Sequence, residues 1–160
     1  MSIARQKWAY FFAFLFVGLS LGPSLAHLLA LPNKIDLPEA AYFTAQAIYR
    51  GWALLGVVVV GALASTLTLT ILVWRQPAAA RWAGLAFLGL AGTQALFWIY
   101  TFPANRATEN WTAVPPGWEA LRTQWEYSHA AGAGLNLLAL IGLVLSVLAW
   151  GSAERDGRRS

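Results

Sequence analysis

The sequence predicts an all-α integral membrane protein: a single-domain four-helix bundle with both termini in the cytoplasm and the longer loops outside. Three observations carry this. Hydrophobic residues make up 58% of the 160-residue chain and charged residues only 11%, against about 25% charged in a soluble domain. That is too little charge to cover a soluble globule, so lipid is part of the solvent. Four apolar stretches each reach the ~20 residues that cross a ~30 Å hydrocarbon core as a helix. Finally, the basic residues behind the net charge of +4 sit mainly at the ends of those stretches. Such placement sets membrane orientation and does not point to a nucleic-acid partner.

The first helix is expected over about 8–31, ending before Pro32-Asn33-Lys34. Its apolar run of 24 residues exceeds the 7–15-residue core of a secretory signal, so the segment reads as a retained helix, although Ser24-Leu25-Ala26 resembles a cleavage site. The second is expected over 49–74, stopping at Arg75-Gln76-Pro77, and the third over 82–102, stopping at Pro103. The fourth is expected over 117–150, since Pro116 suits a first helical turn and Gly151 follows the last apolar residue. The turn between the second and third is short, which makes them an antiparallel pair. The tail from Glu154 to Ser160 reads as a frayed end.

Seven of the nine tryptophans (8, 52, 74, 82, 98, 125 and 150) lie near a predicted boundary, as in an interfacial belt. The N-terminus, the 75–81 turn and the tail hold seven Lys and Arg residues against four (Lys34, Arg50, Arg106, Arg122) in the other loops. The positive-inside rule then places the termini in the cytoplasm of a plasma (inner) membrane.

The chain has no cysteine, which removes disulfides, thiolate metal sites and cysteine nucleophiles. It has no P-loop, Gly-x-Ser-x-Gly or His-Glu-x-x-His motif. The outer side is chemically richer. Trp118, Leu121, Arg122, Trp125, His129, Gly132 and Asn136 share one helical face. Arg122 and Glu126, four apart, are placed to form a surface ion pair. Counting inward from the helix ends puts His27 and His129 at nearly the same depth. Two imidazoles in one layer suit a proton relay or the ligation of haem or a mononuclear metal; alternatively, each bonds a carbonyl or a headgroup. Glu126, three residues before His129, is the candidate third ligand, with Gln46, Tyr49 and Tyr100 at similar depth. A cofactor-free site stays open beside these.

Within the membrane, Gly56, Gly61, Gly89, Gly92, Gly132 and Gly134 offer close-approach surfaces and the threonines packing contacts. Gln94 and Asn136 stand apart, because an amide in hydrocarbon needs partners.

The run Phe102-Pro103-Ala104-Asn105-Arg106, then Trp111, then Trp125-Glu126-Tyr127-x-His129 resembles the anthrone-oxygenase-like family of small four-helix membrane proteins. Where members of that family often carry an arginine shortly after the histidine, this chain has Ala130-Ala131-Gly132. The resemblance implies an oxidoreductase- or oxygenase-like activity on an aromatic or quinone-like ligand in an outer-face pocket. His129, His27 and Glu126 would be the catalytic groups, with Asn105, Arg106 and Arg122 as polar anchors and Trp111, Trp118 and Trp125 lining the ligand. The second reading is a non-catalytic subunit or binding protein, docking a protein partner or a second copy through its outer loops.

Overall fold

The structure, a computed structural model, describes residues 2–156, with side chains through Ser152. The described residues form helices and connections, with no strand among them. Helix α1 spans Ile3–Lys34, α2 Glu39–Gln46, α3 Gly56–Leu72, α4 Pro77–Leu96, α5 Phe102–Ala107 and α6 Trp118–Asp156. Short 3-10 turns at Ala47–Tyr49 and Trp52–Leu55 lead into α3, and a π-helical turn at Phe97–Thr101 joins α4 to α5. Four segments are long and apolar enough to cross a membrane: Ile3–Lys34, Trp52–Leu72, Pro77–Ala107 and Trp118–Ser152.

The helix ends differ from hydropathy for local reasons. Helix α1 runs past the apolar stretch on both sides, because Gln6, Lys7 and Lys34 lose little freedom in a helix. Helix α4 starts at Pro77 rather than near Trp82; proline suits the first turn and three alanines follow it. The entry to α3 is broken at Gly51, whose φ of +87° is costly for any residue with a Cβ. Helix α2 was not expected; it folds back from α1 after Pro38. Helix α6 continues through Asp156 into the segment expected to fray, and residues 157–160 lie outside the described residues.

The four long helices form an antiparallel ring in which α1 packs on α3 and α6, and α4 on the same two. The α4–α6 contact is close because a Cβ on Gly142 would meet the Trp82 carbonyl at 3.0 Å, and one on Gly89 the Leu135 carbonyl at 3.1 Å. Gly61 lies against the Phe16 ring and Gly92 against Leu135. Gly56, Gly132 and Gly134, expected to serve the same purpose, face open space. Thr66, Thr70 and Thr93 donate to carbonyls of their own helices at 2.7–2.8 Å, so these hydroxyls satisfy themselves rather than bridge helices.

The end carrying the N-terminus is sealed by side-chain bonds. Gln6 donates to the Leu72 carbonyl at 3.0 Å and accepts from the Trp150 indole at 3.0 Å. Tyr10 pairs with Ser146 at 2.8 Å, and Ser146 donates to the Ala79 carbonyl. The opposite end is closed by α2, α5 and the first turns of α6, which we call the cap. Large side chains such as Leu29, Leu54, Val57, Leu138 and Leu148 point outward, as a lipid-facing surface requires. The expected tryptophan belt holds in part. Trp8, Trp74 and Trp98 are exposed, whereas Trp125 is buried in the cap.

Candidate functional site

The cap is assembled by three scaffolding contacts. Asn105, near the end of α5, accepts at Oδ1 from the indoles of both Trp111 (3.1 Å) and Trp125 (2.8 Å). Thr101 bonds Ser128 at 2.8 Å, tying the π-helical turn to α6. Between α5 and α6, Glu109, Asn110 and Trp111 all have left-handed φ, from +50° to +65°. A run of three such non-glycine residues is costly and persists where its surroundings fix it. Here Thr108 does so. Its hydroxyl accepts from the Trp111 amide at 3.1 Å, and its carbonyl from the Thr112 and Ala113 amides. The strained turn delivers the Trp111 ring against Tyr42 and Trp125, at 5.2 and 5.8 Å between centroids.

Inside the cap lies a buried ion pair. Lys34, in the last turn of α1, meets Glu126 Oε1 at 2.9 Å; the residues are 6% and 1% exposed. Lys34 also donates to the Tyr49 hydroxyl at 2.9 Å, and its ammonium lies 4.7 and 5.0 Å from the Tyr49 and Trp125 rings. Tyr42 donates to Glu126 Oε1 at 3.0 Å and accepts from Gln46. Burial first, and the Glu126 carboxylate second, push the Tyr42 phenol well above its usual range. It therefore stays protonated and keeps its hydrogen on the carboxylate. Glu126 Oε2 is buried without a partner.

Below the ion pair, His27 and His129 stack, with centroids 4.2 Å apart and planes 15° from parallel. Tyr49, Trp52 and Trp125 complete the box around His27 at 4.4, 5.4 and 5.1 Å. His27 is 6% exposed and its Nδ1 has no partner. Rings stacked this closely leave no room for a porphyrin between them, so paired ligation of one haem does not fit. Among the described residues no three His, Asp or Glu side chains are placed to hold a metal ion. Each ring can hold a proton, since a neutral imidazole presents one donor and one acceptor nitrogen.

The structure thus brings together His27, His129, Glu126, Asn105, Trp111, Trp118, Arg122 and Trp125, with three corrections. Glu126 pairs with Lys34 rather than with Arg122. Arg122 instead donates to the Leu37 carbonyl at 2.8 Å and covers the rings of Trp118 and Tyr42 at 4.8 and 5.5 Å. Arg106 is exposed, away from the cluster. The indoles of Trp111 and Trp118 pack on Tyr42 and Phe43, filling the space where they were expected to line a ligand. Of the candidate third ligands, Tyr100 is exposed and offers its carbonyl to Gln124. Lys34 and Tyr42 carry the site without having been assigned a role. One signal was available for Lys34: it stands seven residues after His27, on the same helical face.

Fold and site define a class, an α-helical bundle with four segments able to cross a membrane and a polar, aromatic-walled cap at one end. No family model, curated protein or solved structure matches the chain.

Proposed function

We propose that the protein is an integral plasma-membrane protein, termini in the cytoplasm and cap outside, whose imidazole pair performs acid–base chemistry on a small aromatic ligand. The reading follows the resemblance to the anthrone-oxygenase-like family. The observation that carries it is the stacked His27–His129 pair at the floor of the cap, walled by Tyr49, Trp52 and Trp125. An aromatic surround suits a flat ring beside the pair, and a neutral imidazole has one acceptor nitrogen for proton abstraction. For an anthrone the balanced reaction is anthrone plus O2 giving anthraquinone plus water. His129 would take the acidic ring-carbon proton, O2 would add to the resulting carbanion, and loss of water would leave the quinone. His129 would return that proton to the peroxide before water is lost, and His27, stacked on it, would steady the charge.

Orientation is supported by charge. The N-terminus, the 75–81 turn and the tail hold seven Lys and Arg residues, against Lys34, Arg50, Arg106 and Arg122 at the cap end. The cysteine-free chain makes this testable. A membrane-impermeant maleimide on intact cells should label Glu119→Cys and not Arg75→Cys; the reverse pattern inverts the topology.

For activity, protein from its native membrane is reconstituted in nanodiscs, checked by absorption spectrum and metal analysis, and supplied with a hydroxyanthrone, which carries both the acidic ring carbon and a hydroxyl. Oxygen uptake should exceed that of empty nanodiscs and fall at least tenfold in His129→Ala. Uptake equal to empty nanodiscs, or unchanged in that variant, removes the catalytic reading.

A further inference from the structure

Asn136, in the membrane-spanning part of α6, is 2% exposed. Its Nδ2 donates to Ser20 Oγ at 2.9 Å and to Ser24 Oγ at 3.1 Å. Ser24 in turn donates its only hydroxyl hydrogen to the Ser20 carbonyl at 3.0 Å. Its oxygen can therefore only accept from the amide, which fixes the amide's orientation. Both amide hydrogens are engaged, and Oδ1 is left buried with no partner. A buried acceptor in that condition calls for an occupant.

The nearest open space lies one turn away. Gly132 lies one turn before Asn136 and three residues after His129, and a Cβ there would meet nothing within 4 Å. Helical side chains lean toward the N-terminus, so Asn136 leans over Gly132. The buried apolar residues thin out at this level, where Leu21 and Ala133 lie between two clusters. One cluster runs from Ala9 to Val17 with Ala139 and Leu143, and the other is the cap around Tyr42 and Trp125. His27, His129, Gly132 and Asn136 share this layer with Leu21 and Ala133. Across the bundle, residues 91–94 of α4 are only half-buried.

We infer that this layer between the two cores is the ligand site, and that Asn136 Oδ1 accepts a hydrogen bond from the hydroxyl of a lipid-soluble phenol or hydroquinone. The inference deepens the reading above and rests on it for the ligand's aromatic character. The direction of the bond carries the selectivity. An acceptor with no free amide hydrogen beside it pairs with a hydroxyl and not with a quinone carbonyl or an ether oxygen. A site built to bond a hydroxyl rejects the analogue that lacks it. A ligand anchored at Asn136 would reach toward His129 across the space at Gly132.

The test is equilibrium binding of 2-naphthol and 2-methoxynaphthalene to protein in nanodiscs, with lipid-only nanodiscs subtracted. Wild type should bind the naphthol at least tenfold tighter than the ether, and in Asn136→Leu the ratio should fall to about one. Ser24→Ala keeps the amide but releases its orientation, so it should lower the ratio and strengthen binding of 1,4-naphthoquinone. That variant serves if Asn136→Leu fails to fold. Gly132→Leu should weaken both probes at least tenfold. Equal affinities in wild type, a ratio unmoved by Asn136→Leu and Ser24→Ala, or Gly132→Leu without effect (the space then holding only water) would each overturn the inference. Anthrone-dependent oxygen uptake that needs His129 while selectivity ignores Asn136 sinks this inference alone. Selectivity that needs Asn136 without oxygen uptake sinks the catalytic reading alone.

Discussion

Removing Lys34 tests the cap directly. In Lys34→Met the side-chain volume is kept but Glu126, 1% exposed, loses its cation. Breaking one side of a buried ion pair costs about 3–5 kcal/mol, whereas replacing both partners is often neutral or stabilising. Glu126→Gln breaks the pair from the other side and preserves an acceptor for the Tyr42 hydroxyl. The double variant loses the bond from Lys34 to Tyr49, about 1 kcal/mol, but strands no charge. Each single variant should therefore lose about 3–5 kcal/mol, with Glu126→Gln at the lower end because Tyr49 and two aromatic faces still hold the ammonium. The double variant should lose about 1–2 kcal/mol, well short of the sum of the singles. The assay is unfolding in mixed micelles, followed by tryptophan fluorescence, with Trp125 reporting on the cap. Singles within about 1 kcal/mol of wild type would mean a solvent-screened pair, and an additive double variant would mean no coupling. Either result refutes the account of a desolvated pair.

Four further outcomes follow from the geometry. The raised Tyr42 value means the folded protein keeps a proton that an unfolded chain loses near the ordinary phenol value of 10.0; stability from this source is complete below about pH 10 and declines as pH rises further, so Tyr42→Phe should show a shallower alkaline loss in a pH series of unfolding curves. Asn105→Ala strands two indole N–H groups and should cost about 1–3 kcal/mol, with a shift in tryptophan emission that Arg106→Ala does not produce. Glu109→Gly relieves one left-handed residue and should stabilise by up to about 1 kcal/mol in the same unfolding assay, glycine's greater freedom when unfolded offsetting part of the gain. Gly142→Val pushes a branched side chain into the Trp82 carbonyl and Ala86 and should cost about 1–3 kcal/mol, measured as lost thermal stability in detergent.

The four long helices were legible because the signal for a membrane span is a sum over some twenty residues, which no single contact overrides. The matching depth of His27 and His129 was legible for a similar reason, since depth follows from counting along antiparallel helices. Helix α2 was not, being only eight residues long and held by its tertiary contacts. The pairing of Glu126 was missed because a sequence displays only neighbours within one helix, and on that basis Arg122 is its natural partner. What decides is the register between α1 and α6. The contacts 6–150, 10–146, 20–136 and 27–129 all share one register. Carried one step further, it sets Lys34 opposite Arg122, two cations face to face. Glu126, a turn along α6, relieves that clash by taking Lys34 as its partner at 2.9 Å, and Arg122 turns to the Leu37 carbonyl and the faces of Trp118 and Tyr42. The partner of Glu126 is thus set by the register between the two helices, and no reading of either helix alone contains it.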